Sequence, residues 1–217
     1  MRPGLSFSNR NTMTPTVDLR EWFGDIDIYL FDQLLKGRFM HGMRVLDAGM
    51  GSGRNLIYFM RSGYEVCGVD CSEESVAVVR RLAARLAPRL AETNFRCERV
   101  EALSFADGGF DAVISSAVLH FANDEAHFQK MLAQMWRVLK PGGIFFSRLA
   151  SSIGIEDRVK PLGNRRFHLP DGSVRFLVDE EMLTSATQEL DGGLLEPIKT
   201  VNVQNLRCMT TWCLRKH

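Results

Sequence analysis

Between a short apolar run and the start of a helical stretch, residues 45–55 read Val-Leu-Asp-Ala-Gly-Met-Gly-Ser-Gly-Arg-Asn. No other segment limits the fold so tightly. Glycines at alternate positions (Gly49, Gly51, Gly53) permit a sharp turn and let a ligand lie against the backbone. The helix that follows offers unpaired N–H groups to an anionic group held in the loop. A phosphate-gripping P-loop ends in Gly-Lys-Ser/Thr, whereas this loop ends Gly53-Arg54-Asn55. A dinucleotide loop needs Gly or Ala where Arg54 stands, which leaves a nicotinamide-dependent Rossmann reductase as the weaker alternative. Asp47, just ahead of the glycines, is a poor neighbour for a pyrophosphate and a good one for an ammonium.

The surrounding pattern alternates strand and helix. Residues 43–48 read as a strand, 54–62 as a helix and 64–70 as a second strand. Ser72 caps a helix carrying Glu73 and Glu74 in its first turn, and Pro88 stops it. Residues 94–99 and 111–116 are the third and fourth strands. Asn123 is the expected cap of a strongly amphipathic helix ended by Pro141-Gly142-Gly143, and 144–149 is the fifth strand. Right-handed crossovers then imply a single Rossmann-like, doubly wound α/β sheet, mostly parallel. Residues 197–204 and 207–214 are joined too closely for a crossover, so they predict an antiparallel C-terminal edge. The expected organisation is a flexible tail over 1–16 and a single domain over 17–217. Within it, 17–42 is a helical cap, one helix or two short ones broken near Gly24, and 43–150 is the ligand-binding core. Residues 151–178 are a loop-like insertion, and 179–217 hold a last helix, capped by Asp179, and the terminal strands.

The second strand ends Gly68-Val69-Asp70, an acid 21 residues past Gly49 that can accept hydrogen bonds from both hydroxyls of a ribose. Phe110-Asp111-Ala112-Val113 opens the fourth strand, and Leu139-Lys140-Pro141-Gly142-Gly143 precedes the fifth. With the glycine loop, these marks over residues 43–149 resemble the class I S-adenosylmethionine (SAM)-dependent methyltransferases. The resemblance implies SAM as cofactor and S-adenosylhomocysteine (SAH) as product. It implies that Asp47 orients the methionine ammonium, that Gly49, Gly51 and Gly53 form the ligand loop, and that Asp70 holds the ribose with Cys71 beside the adenine. Ser115 and Tyr29 are further expected cofactor contacts. Where the family often carries an acid near the adenine amino group this sequence has Arg99, so Val100 and Glu101 become the expected adenine contacts. Asp70, at a strand end on the surface, is expected to matter for the cofactor and little for the core.

The acceptor is expected beyond the fourth strand, where His120 is the candidate base. No Asn-Pro-Pro-aromatic motif of the kind found in enzymes methylating planar amino nitrogens follows that strand. The chain carries 27 Lys plus Arg against 26 Asp plus Glu, which argues against nucleic acid as partner. No apolar run is long enough to span a membrane, and no leader precedes the tail, so a cytoplasmic protein is expected. Five cysteines with no completing Cys/His pair predict free thiols and no metal site. The acceptor is then a small molecule presenting O, N, S or a chalcogen, the last through a likeness to tellurite-resistance methyltransferases. The basic insertion (Arg158, Lys160, Arg165, Arg166, Arg175) reads either as a lid recognising an acidic acceptor or as a simple solvated loop. A regulatory protein that binds SAM without catalysis is the other alternative.

Overall fold

The computed structural model describes residues 18–217. The tail expected over 1–16 lies outside the described residues. Two short helices come first, α1 (Leu19–Phe23) and α2 (Ile28–Leu35), parted at Gly24 as the two-helix reading has it. Then β1 (Arg44–Ala48), α3 (Ile57–Arg61), β2 (Glu65–Asp70), α4 (Glu73–Leu86), β3 (Phe95–Cys97), β4 (Phe110–Ser116), α5 (Glu125–Val138) and β5 (Leu139–Ser151) alternate. The chain closes with β6 (Lys160–Gly163), β7 (Arg166–His168), β8 (Val174–Phe176), α6 (Glu180–Glu189), β9 (Gly192–Leu194), β10 (Lys199–Val203) and β11 (Arg207–Lys216).

The main sheet runs β10-β11-β5-β4-β1-β2-β3, with β9 also on β11. Strands β1 to β5 pair in parallel, and β11 runs antiparallel to β5 and to β10. This is a Rossmann-like α/β sheet with an antiparallel edge. Successive strand side chains point to opposite faces. Leu46, Val113 and Phe145 accordingly face a core built with α5 and α6. Val45, Ala112, Ile114 and Phe146 face a second core built with α2, α3 and α4. Both faces are covered, which is why these strands read as near-continuous apolar runs. Strand order reverses between β1 and β4, and a cleft opens outside the carboxyl ends of strands at such a switch point.

Two expectations change. The cap of α5 is Asp124, whose Oδ1 accepts from the His127 backbone N–H at 2.7 Å. Asn123 contributes its backbone N–H instead, donated to His127 Nδ1 at 3.1 Å, so the turn is closed from both sides. The insertion is not a loop: β6, β7 and β8 form a separate antiparallel sheet. Asn164 and Arg165, at φ +54° and +55°, make its first turn. Ala150, Leu169 and Leu177 seat it on the end of β5. Strands this short and mostly exposed carry no apolar alternation, and Pro161 argues locally against pairing. Among the described residues no helix is long and apolar enough to cross a membrane.

The cap assignment is testable. Asp124→Ala leaves the first turn of α5 without its acceptor and should cost about 1 kcal/mol, a fall of roughly 2–4 °C in Tm. Asn123→Ala, which keeps the backbone N–H, should melt with the parent.

Candidate active site

The end of β1, the glycine loop and the end of β2 form one bonded unit. The backbone N–H groups of Gly49 and Met50 both donate to Val69 O at 2.9 Å, which pins the loop against β2. Asp70 completes the clamp: Oδ2 accepts from Gly51 N and Oδ1 from Ser72 N, each at 2.9 Å. Asp70 therefore shapes the loop before any ligand arrives, which corrects the expectation that it matters little to the free protein. At Gly49, with φ +89°, a Cβ would run into the Val118 side chain. At Gly51, with φ +51°, a Cβ would meet nothing within 4 Å. The first glycine permits packing, and the second leaves open space.

That space belongs to a cavity of about 550 Å³. Gly49, Gly51, Asp70, Cys71, Val100 and Glu101 all line it. Burial draws Glu101 upward, but backbone bonding, Arg99 and then His127 outweigh it and hold the carboxyl below its usual range. His127 Nδ1 is occupied by Asn123 N–H, so Nε2 carries the hydrogen and faces Glu101 at 3.4 Å.

Asp47 lies beneath the loop, 1% exposed, and neither carboxylate oxygen has a donor among the described residues. Burial first, with Asp70 adding to it and Arg54 opposing, pushes its pKa up to about 7. A desolvated carboxylate without a partner is costly, and an arriving ammonium supplies both charge and donors. The donor-free acid under the loop, the open side of Gly51 and the remaining lone pairs of Asp70 thus fit a ligand with an amino-acid end and a ribose.

Four expected contacts lie outside the cavity lining, the buried Asp47 among them. Ser115 is fully buried and its Oγ is unpartnered; Ser116, one residue on, lines the cavity. In a strand a shift of one residue changes face, which explains the miss. Gly53 is packed against Val79 and Leu82 of α4 and lies outside the cavity lining. Tyr29 holds the Arg148 guanidinium over its ring at 4.9 Å, also outside that lining.

His120 opens into a second cavity, of about 420 Å³, which shares Arg54, Ala117 and Phe121 with the first. Its Nδ1 accepts from Ala150 N at 3.2 Å, so the hydrogen sits on Nε2. Burial, reinforced by Arg175, Arg148 and Arg207, lowers its pKa to about 4. At neutral pH the ring is an uncharged donor, and it is poorly suited to take a proton. Ala117, at the junction, holds φ +63°, an unusual value for a non-glycine residue. Of the basic insertion residues, Arg165 is spent on Asp179 and Glu125 and Arg166 is exposed, while Arg175 lines the second cavity.

Sequence reasoning missed the residue joining these parts. Asp27, 3% exposed, accepts at Oδ2 from Ser116 Oγ (3.2 Å) and Arg148 Nη1 (3.1 Å), with Arg54 Nη2 at 3.5 Å. Its Oδ1 caps α2 at Tyr29 N, and its own N–H donates to the buried Asn55 Oδ1 at 3.0 Å. One signal was present: Arg148 interrupts the apolar run of β5 and needed a buried acid somewhere.

Comparison with known proteins accords with this geometry. Residues 46–147 match the family model described as a methyltransferase domain. That match spans just under half of the chain. An arsenite methyltransferase of Aquipseudomonas alcaligenes is 32% identical over 130 residues, 56% of this chain and 37% of that protein. The chain therefore spans well under half the length of that curated relative. A solved structure from Pyrococcus horikoshii superposes with a TM-score of 0.70 at 19% identity, covering 92% of this chain and 97% of that one. The 1,6-didemethyltoxoflavin-N1-methyltransferase of Burkholderia thailandensis, solved with 1,6-didemethyltoxoflavin and SAH, gives 0.65 at 22% identity, covering 86% and 75%.

The buried acid under the methyltransferase-domain loop carries a pH signature. With a folded pKa near 7 against 3.8 in the unfolded chain, Asp47 favours folding fully below pH 3.8 and loses that contribution as pH rises to about 7. The unliganded Asp47→Asn variant should melt with the parent near pH 4 and several degrees above it at pH 8. Matching melting curves at both pH values would show that Asp47 is solvated in the native state.

Proposed function

We propose that this chain transfers the methyl group of S-adenosylmethionine to a small molecule, leaving S-adenosylhomocysteine. The observation that carries the reading is the cavity lined by the glycine loop, Asp70 and Glu101, with the donor-free Asp47 carboxylate buried within electrostatic range of Asp70 and Arg54. The sulfonium supplies an already activated methyl: the acceptor lone pair bonds to its carbon as the carbon–sulfur pair returns to sulfur, and any proton on the accepting atom leaves to solvent. Each group of the chain then has a positioning task. Asp47 meets the ammonium. Gly51 leaves room along the backbone. Asp70, with two of its lone pairs held by Gly51 and Ser72, uses the others on the ribose hydroxyls. Val100, Glu101 and Cys71 border the adenine end.

Such a reaction needs alignment and exclusion of water more than acid–base help. His120, neutral with its hydrogen on Nε2, acts in this reading as a donor that orients the acceptor. A second cavity of about 420 Å³, which shares Arg54, Ala117 and Phe121 with the first, suits an acceptor of small-molecule size. The arsenite and 1,6-didemethyltoxoflavin methyltransferases, named for small acceptors, support the same size class.

Calorimetry with SAM, SAH and NADH tests the cofactor. SAM and SAH should bind, and at 100 times Kd should add about 2.7 kcal/mol, raising Tm by roughly 5–10 °C. NADH should not bind; equal binding would overturn the reading. Asp70→Ala should lose about 2–4 kcal/mol of SAM affinity, roughly 30- to 1000-fold, and should also melt lower when unliganded because Gly51 and Ser72 lose their acceptor. Release of SAH across an acceptor panel tests turnover. Tight SAM binding without release from any acceptor would favour a regulatory SAM-binding protein.

A further inference from the structure

The second cavity has a chemical character of its own. Four arginines line it: Arg54 from the loop, Arg148 from β5, Arg175 from β8 and Arg207 from β11. One acid shares the lining, Asp171, and its carboxylate accepts from both Ser173 N and Ser173 Oγ. Behind the wall Asp27 answers one positive charge, held jointly by Arg148 and Arg54. Two positive charges remain uncompensated at the cavity. The Arg207 guanidinium makes no side-chain hydrogen bond or close ion pair among the described residues, and it shares the charge of Asp171 at longer range with Arg175. Arg175 gives one N–H to Val174 O and lies over the Phe121 ring at 5.0 Å.

Part of the lining is apolar. Leu169, Met209 and Ala150 line this cavity, and Phe121, 58% exposed, stands where the two cavities meet. Arg175 and Arg207 line only the second cavity, whereas Arg54, Ala117 and Phe121 line both. A ligand in the second cavity would therefore meet Arg207 and Arg175, the latter close to the junction at Phe121, and could reach the methyl donor's cavity past Ala117. Guanidinium groups with open donors suit the planar or tetrahedral oxygens of a carboxylate or phosphate.

We propose that the acceptor is a small organic anion with an apolar body, its carboxylate or phosphate anchored by Arg175 and Arg207 and its methyl-accepting atom directed past Ala117 toward the first cavity. This rests on the methyltransferase reading, and the anchoring anion is distinct from the atom that is methylated. It also assigns the small β6-β7-β8 sheet a task, since that sheet delivers Arg175 and the turn that delivers Asp171.

The test uses the full chain saturated with SAH and titrated calorimetrically with three probes: 4-hydroxybenzoate, phenyl phosphate and the neutral 4-hydroxybenzamide. At least one anion should bind ten-fold or more tightly than the amide, and which anion does so distinguishes carboxylate from phosphate recognition. Arg175→Gln and Arg207→Gln should each weaken that anion ten-fold or more while leaving SAH affinity within twofold. Arg166→Gln, exposed on the same small sheet, should bind like the parent. Equal binding of anion and amide, no binding of any probe, or parental anion affinity in both arginine variants would overturn the proposal. Failure of SAH itself to bind would instead overturn the methyltransferase reading.

Discussion

A carboxylate held almost out of water must be met by donors or positive charge, and Asp27 is met by elements from three parts of the chain. It belongs to the N-terminal helical segment, yet its oxygens are taken by Ser116 at the end of β4, Arg148 in β5 and, at longer range, Arg54 in the glycine loop. Removing any one partner would strand charge in a poorly solvated place, which is far more costly than losing a surface ion pair. The helices therefore cannot drift from the sheet without exposing an uncompensated group. The same interaction fixes Arg54, which lines both cavities, and Arg148, which lines the second, so the shape of the site depends on a residue that lines neither.

Function and stability pull in opposite directions around that site. Asp47 is kept buried without donors, a cost the free protein carries and a cationic ligand would relieve. Ala117 holds a left-handed backbone where β4 gives way to the junction of the cavities. Asp70 works the other way, because it stabilises the loop through Gly51 and Ser72 while keeping lone pairs free. A site of this kind is arranged in advance, with little left to organise when a ligand binds.

Much of the fold was readable because its signals are local. Apolar strand runs, Ser72 before its acidic turn, Gly24 between two helical repeats and the glycine loop itself are spelled out within a few residues each. The misses have a common form. Asn123 and Asp124 are both good caps, and only the backbone path selects Asp124. Ser115 and Ser116 are chemically alike, and only the facing of the strand decides which reaches the cavity. The insertion forms three very short strands whose pairing depends on one another, which no single segment reveals.

From the sequence alone followed the alternation of strand and helix, the loop that excludes a P-loop, and acids at the ends of the first two strands. These follow from periodicity and local backbone chemistry, which act over a few residues. Tertiary structure decided which charges meet. It gathered Arg54, Arg148, Arg175 and Arg207 around one cavity from positions spread along the chain, spent Arg165 on Asp179, and placed Asp27 behind the wall. Such pairings depend on distance and desolvation in the folded state, and neither quantity is written in the order of the residues.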